Sequence, residues 1–191
     1  YTNDTIYFAS PETFMAGIDG QPELEKLQEA ITVWAASNTR DLVLYMVGAG
    51  DTGTFRINNS ETLTASQLDT WLDALQQTMP GPVTVVYDAD KAGSFIPLLK
   101  PPAGKQRIVI ASSADTQSAS FLSSGDISFS RFFWEQVLNG ATVWDAFIHA
   151  GSAVFVLQAK YPVSFSCLGQ TPFLDDNGNG IGTYGILSSL A

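Results

Sequence analysis

Histidine and cysteine are almost missing from this chain. Its 191 residues include one cysteine, Cys167, and one histidine, His149. A lone cysteine forms no internal disulfide, and a mechanism that needs an imidazole base has only His149 to draw on. Cations are also scarce. Nine Lys and Arg stand against nineteen Asp and Glu, for a formal net charge of −10. That balance argues against nucleic acid as a partner, since nucleic-acid binding needs a basic face, and against anionic membranes. No apolar run approaches the ~18 residues of a membrane span. The chain opens at Tyr1 without an initiator methionine, so residues 1–191 are expected to be a single domain of a larger protein. The composition is otherwise rich in core formers: 45% hydrophobic and 12% aromatic residues suit one domain with a sizeable interior.

The apolar residues fall into alternating periods. Thr5 to Ala9 reads as a short strand. In "PELEKLQEAITVWAAS", Leu24, Leu27, Ala30, Ile31 and Trp34 lie at helical spacing. The run Leu42–Val47 ends at Gly48 and predicts a strand buried on both faces. "TFRI" is strand-like. "TASQLDTWLDALQQT" predicts a helix with Thr64 as N-cap and Leu68, Trp71, Leu72 and Leu75 as its apolar stripe. Strands at Val83–Tyr87 and Arg107–Ala111 flank a short helix-like "FIPLL". Two further helices are expected in "ISFSRFFWEQVLNG" and "ATVWDAFIHAGSAVFVLQA". Strand and helix in alternation predict an α/β fold, a three-layer αβα arrangement with a mostly parallel sheet. In such sheets, sites lie beyond the carboxyl ends of the strands. Three of those ends carry small or polar residues here: "GAGDTG", "DADKAGS" and "SSADT".

These three ends carry a resemblance. "DLVLYMVGAGDTGTF" and "VTVVYDADKAGSF", followed by "RIVIASSADTQSASF", resemble successive strands of the clan CD cysteine peptidases, the legumain and caspase-like family, and of its bacterial legumain-like domains in particular. "ISFSRFFWEQVLNG" is similar to a segment of that family's substrate wall, and "PFLDDNGNGIG" to the ending of its bacterial members. The likeness runs in order from about Thr5 to Gly182. It implies a caspase/legumain-like fold in which one strand ends in a His-Gly base and the next in an acidic-Ala-Cys-x-Ser-Gly nucleophile loop. The family's usual first strand and helix have no counterpart before "TIYFAS". The resemblance also points to a secreted or cell-surface bacterial protein.

The chemistry-bearing positions depart from the pattern. Ala49, followed by Gly50, stands at the His position. Asp90 stands at the Cys position, with Asp88 before it and Gly93 after it. Ala49 accepts no proton, and a carboxylate is a poor nucleophile toward an amide. The expectation is a pseudopeptidase with a residual peptide-binding, protein-binding or structural role. Ser112, Ser128, Ser130 and Arg131 would form the substrate wall, and Ser128 to Ser130 would offer a strand edge to an extended peptide. Two alternatives stay open. One is a metal-dependent hydrolase or phosphatase-type enzyme using Asp90 with Asp88 and Asp51. The other is an engineered inactive form of a working peptidase. His149 reads as a helix-face residue beside Val143, Ala146, Phe147, Ala150 and Val154. Cys167 in "VSFSCLG" reads as a small hydrophobe of a late strand. Arg131 and Arg56 would also fit structural pairs with acidic neighbours.

The tail holds "DDNGNG". Asp175, Asn177 and Asn179 take positions 1, 3 and 5 of a calcium-loop pattern, with Gly180 at position 6. Ile186 falls where the bidentate Glu belongs, so the ligand set is incomplete. Weak calcium binding and a plain Asn/Gly turn are the two readings. No other cofactor is expected.

Overall fold

The computed structural model describes residues 4–9, 17–37, 39–160 and 169–184. The first amphipathic stripe folds as α1 (Leu24–Glu29) and continues through a wider π-type turn at Ala30–Trp34, which buries Ile31. Strand β1 (Leu42–Val47) follows. Three short strands come next, β2 (Gly50–Asp51), β3 (Thr54–Arg56) and β4 (Thr62–Thr64), and they make a small antiparallel sheet of their own. Helix α2 (Ala65–Thr78) starts where Thr64 caps it. The Thr64 side chain accepts from Gln67 N and the Gln67 side chain accepts from Thr64 N, which satisfies donors at the helix start reciprocally.

Strand β5 (Val83–Asp88) leads into a 3-10 helix at Ala92–Leu98 and then β6 (Arg107–Ala111). Helices α3 (Phe129–Leu138) and α4 (Val143–Lys160) come next, then the two short strands β7 (Phe173–Asp175) and β8 (Thr183–Tyr184).

The central sheet has the order β1-β5-β6-β7-β8. The pairs β1–β5 and β5–β6 are parallel, and β7 runs antiparallel to both β6 and β8. Four of the five strands therefore point the same way. One face of the sheet, with Val83, Val85, Tyr87, Val109 and Ala111, packs with residues of α1, α2 and the 3-10 helix. The other face, with Val86, Ile110 and Leu174, packs with α3 and α4. This is the expected three-layer αβα arrangement. Burying both faces removes most of the β5 and β6 surface from water, and their continuous apolar runs follow from that.

Two expectations need correction. Strand β1 is not buried on both faces: Met46 is buried, while Val43, Tyr45 and Val47 are exposed. Helices α3 and α4 cover β5, β6 and β7 on that face, while β1 meets α3 through the Tyr45–Trp134 ring contact and leaves Val43 and Val47 exposed. In the stretch Thr5 to Ala9, only Phe8 makes a bridge, to Gly20, rather than a strand. No helix among the described residues is long and apolar enough to cross a membrane.

Candidate functional site

Strands β1 and β5 lie side by side with Val47 in register with Asp88, so the two chains leave the sheet together. Gly48 N donates to Asp88 O at 3.2 Å, holding the β1 exit onto the end of β5. Gly50 then runs so close to the second loop that a Cβ there would stand 2.5 Å from Asp90 O and from the Tyr87 hydroxyl. Only glycine fits that approach. Gly93 packs in the same way on the turn after β6: its N–H donates to Ser113 O at 2.8 Å, and a Cβ would come within 2.9 Å of that oxygen. The three strand-end loops are thus brought together as expected.

Ala49 is exposed at this junction, and its carbonyl accepts from Arg56 N at 3.0 Å. Asp90 is half-buried and its Oδ1 accepts from Ala119 N at 2.7 Å. Next to it, Lys91 N donates to Gln117 O at 2.7 Å from a left-handed backbone (φ 55°). Asp90 and Lys91 therefore hold the loop after β6 against the loop after β5. Ser113, which the residue pattern did not single out, ties the same two loops: its hydroxyl donates to Ala89 O and accepts from Ala92 N.

Asp51 turns outward and pairs with Lys91 Nζ at 2.6 Å. The hydrogen bond from Lys91, the backbone N–H of Thr52 and the Lys91 charge hold the Asp51 carboxyl below its ordinary value. Asp88 points the other way, into the core under α3, where its Oδ2 accepts from Ser130 N at 2.9 Å. Burial pushes its pKa up, opposed by the Ser112 and Ser130 hydroxyls and the Ser130 N–H. Among the described residues, Asp88 Oδ1 and Ser112 Oγ nevertheless have no aligned hydrogen-bond partner. The help from Ser112 is thus one of proximity. Burial also raises the pKa of the Tyr87 phenol, which donates to Thr54 O at 3.1 Å. Asp51, Asp88 and Asp90 have three separate sets of partners and do not converge as a ligand set. Among the described residues, no three His, Cys, Asp or Glu side chains group as a metal site.

Three of the four wall residues, Ser128, Ser130 and Arg131, line one cleft with Tyr45, Trp134 and Leu138, of about 260 Å³. Ser112 is fully buried and does not line it. The expected strand edge at Ser128 to Ser130 is absent. Ser128 caps α3 by accepting from Arg131 N at 3.2 Å, so the backbone from Phe129 onward is helical and its groups are directed along the helix. Arg131 is exposed and makes no ion pair among the described residues, and the same holds for Arg56. A structural acid partner, the alternative for both, is thus not found. Tyr45 and Trp134 were missed as wall residues because their proximity arises only when α3 packs beside β1.

In the tail, Asp175 is buried and its carboxylate accepts from the N–H groups of Asn177, Gly178, Asn179 and Gly180, at 2.7 to 3.3 Å. Asn177 Oδ1 accepts from Asn179 N, and Asn179 Oδ1 from Ile181 N. All three candidate calcium ligands are engaged in building the turn. His149 is exposed on α4, whose buried face is Ala146, Phe147, Ala150 and Val154. Cys167 lies outside the described residues.

No protein-family model matches the sequence, and no curated protein matches it.

Proposed function

We propose that this chain is a legumain/caspase-like domain that has lost its peptidase chemistry and works by binding an extended peptide or protein segment. One observation carries the reading. The Val47–Asp88 register sets Ala49 and Asp90 on neighbouring loops beyond adjacent parallel strands, the arrangement a base and a nucleophile would need. Neither residue supplies that chemistry. Ala49 has no proton acceptor, and the Asp90 carboxylate is engaged with Ala119 N. Arg131, which makes no ion pair among the described residues, and the cleft beside it support a surface on which a segment can bind without being cut.

The test restores both groups. Wild-type protein is expected to leave a peptide library intact. Ala49→His combined with Asp90→Cys is expected to give thiol-dependent cleavage, blocked by an alkylating reagent. Divalent-metal-dependent turnover by the wild type, abolished by Asp90→Asn, would overturn the reading in favour of a metal-dependent hydrolase.

A further inference from the structure

The turn between β7 and β8 holds two Asn-Gly pairs, Asn177–Gly178 and Asn179–Gly180. A third pair, Asn139–Gly140, follows α3. All three asparagines are exposed. A glycine after an asparagine has no side chain to shield its amide nitrogen, so that nitrogen can approach the asparagine's own side-chain carbon. The surroundings of the three pairs differ.

Asp175, only 1% exposed, turns both carboxylate oxygens into the β7–β8 turn. Its Oδ1 accepts from Gly178 N at 2.8 Å and its Oδ2 from Gly180 N at 2.7 Å. Oδ1 is shared at longer range with Asn177 N (3.3 Å) and Asn179 N (3.2 Å). The two glycine nitrogens thus present their protons to one carboxylate. On the other side of each pair, Asn177 Oδ1 accepts from Asn179 N at 3.0 Å, and Asn179 Oδ1 accepts from Ile181 N at 2.7 Å. Each is a bond to the N–H two residues on. It folds the side-chain carbonyl back over the intervening glycine nitrogen and sets a donor where negative charge would develop. At the third pair, Gly140 N donates to a backbone carbonyl, Val137 O, at 3.0 Å. A peptide carbonyl is no base for that proton.

We propose that the β7–β8 turn is a self-modifying site, at which Asn177 and Asn179 lose ammonia with Asp175 as the base. Gly178 N bonds to Asn177 Cγ as its proton passes to the Asp175 carboxylate. The oxyanion formed at Asn177 Oδ1 is held by Asn179 N–H. As it collapses, Asp175 gives the proton to Nδ2, the Cγ–Nδ2 bond breaks, and ammonia leaves a cyclic imide behind. Water opens the imide at either carbonyl, giving aspartate or isoaspartate. Gly180 and Asn179 repeat the step with Ile181 N–H as the donor. Each event adds a negative charge beside Asp175 and Asp176. Isoaspartate also lengthens the backbone in the turn that sets β7 against β8. None of this depends on the peptide-binding reading.

The whole chain is incubated folded and in guanidinium chloride, and deamidation at each asparagine is followed by tandem mass spectrometry. In the folded chain, Asn177 and Asn179 are expected to react about tenfold faster than Asn139. They are also expected to react faster than they do in guanidinium, where the turn and its base are gone. Asp175→Asn is expected to bring both rates down to that of Asn139. A variant that keeps its circular dichroism and reacts as fast as the wild type would overturn the role of Asp175. Slower reaction at Asn177 and Asn179 in the folded chain than in guanidinium would show that the same bonds protect the turn, and would overturn the proposal outright. That comparison uses the wild type alone, so it holds even where Asp175→Asn does not fold.

Discussion

Arg107 and Asp88 are both fully buried charged residues, at opposite ends of the central sheet, and they are treated in opposite ways. Arg107 opens β6. Its Nη1 donates to Asp69 at 2.7 Å, its Nη2 to Asp73 at 2.7 Å, and its Nε and Nη2 to Gln76 Oε1. The three partners lie on one face of α2, at spacings of four and three residues. Asp88 closes β5, and its carboxylate has one aligned bond, from Ser130 N, with Oδ1 left over. A buried charge costs several kcal/mol unless it is paired and hydrogen-bonded, so the amino end of the sheet is a closed structural clamp. The carboxyl end keeps polar capacity, at Asp88 Oδ1 and Ser112 Oγ, that no partner among the described residues takes up. That is where parallel sheets place their sites.

The contrast is broken most severely at the clamp. Arg107→Ala would leave Asp69, Asp73 and Gln76 facing an empty space, and is expected to cost about 3–5 kcal/mol in urea unfolding. A loss below about 1 kcal/mol would show that the clamp contributes no more than a surface ion pair.

At the other end, Asp90→Ala takes one acceptor from Ala119 N and frees the loop after β6. It is expected to cost about 1.5 kcal/mol and to quicken amide exchange in residues 117–120. Unchanged exchange there would mean that Asp90 does not anchor the loop.

Asp88→Asn carries the opposite sign. The folded-state pKa of Asp88 is raised by burial, so the folded protein holds this proton more tightly than the unfolded chain does. The stability it contributes is present below the ordinary value of 3.8 and is lost as pH rises through the raised one. Asn carries no such charge. The variant is expected to match the wild type at low pH and to be the more stable of the two at pH 7. A less stable variant at pH 7 would show that the carboxylate is well satisfied after all.

The smallest effect belongs to the exposed Asp51–Lys91 pair. Asp51→Asn is expected to leave the unfolding midpoint unchanged at physiological salt. A measurable loss would tie the pair to the loop anchors beside it.

How much was legible in the residues follows from the range of the forces involved. Helix α2 could be read from Thr64 onward because its cap, Gln67, lies three residues away and its stripe of Leu68, Leu72 and Leu75 is local. Strands β5 and β6 announced themselves as apolar runs because both of their faces are covered. The same kind of run in β1 misled, since coverage is a property of the neighbours. The three residues of β7 and the two of β8 carry no periodicity and become strands only by pairing. Among the wall residues, the chemical types at Ser128, Ser130 and Arg131 were visible. That Ser128 caps a helix, and that Tyr45 faces Trp134, required α3 to be set against β1.

The residue types by themselves determined that Ala49 offers no base, that Asp90 offers no thiolate, and that alternating apolar segments must bury a layered core. Only the tertiary structure decided what the remaining carboxylates do. Asp88 meets Ser130 across 42 positions of chain, and Asp90 meets Ala119 across 29. Such bonds have no local signature, because both partners are satisfied by water until the sheet and its loops close over them.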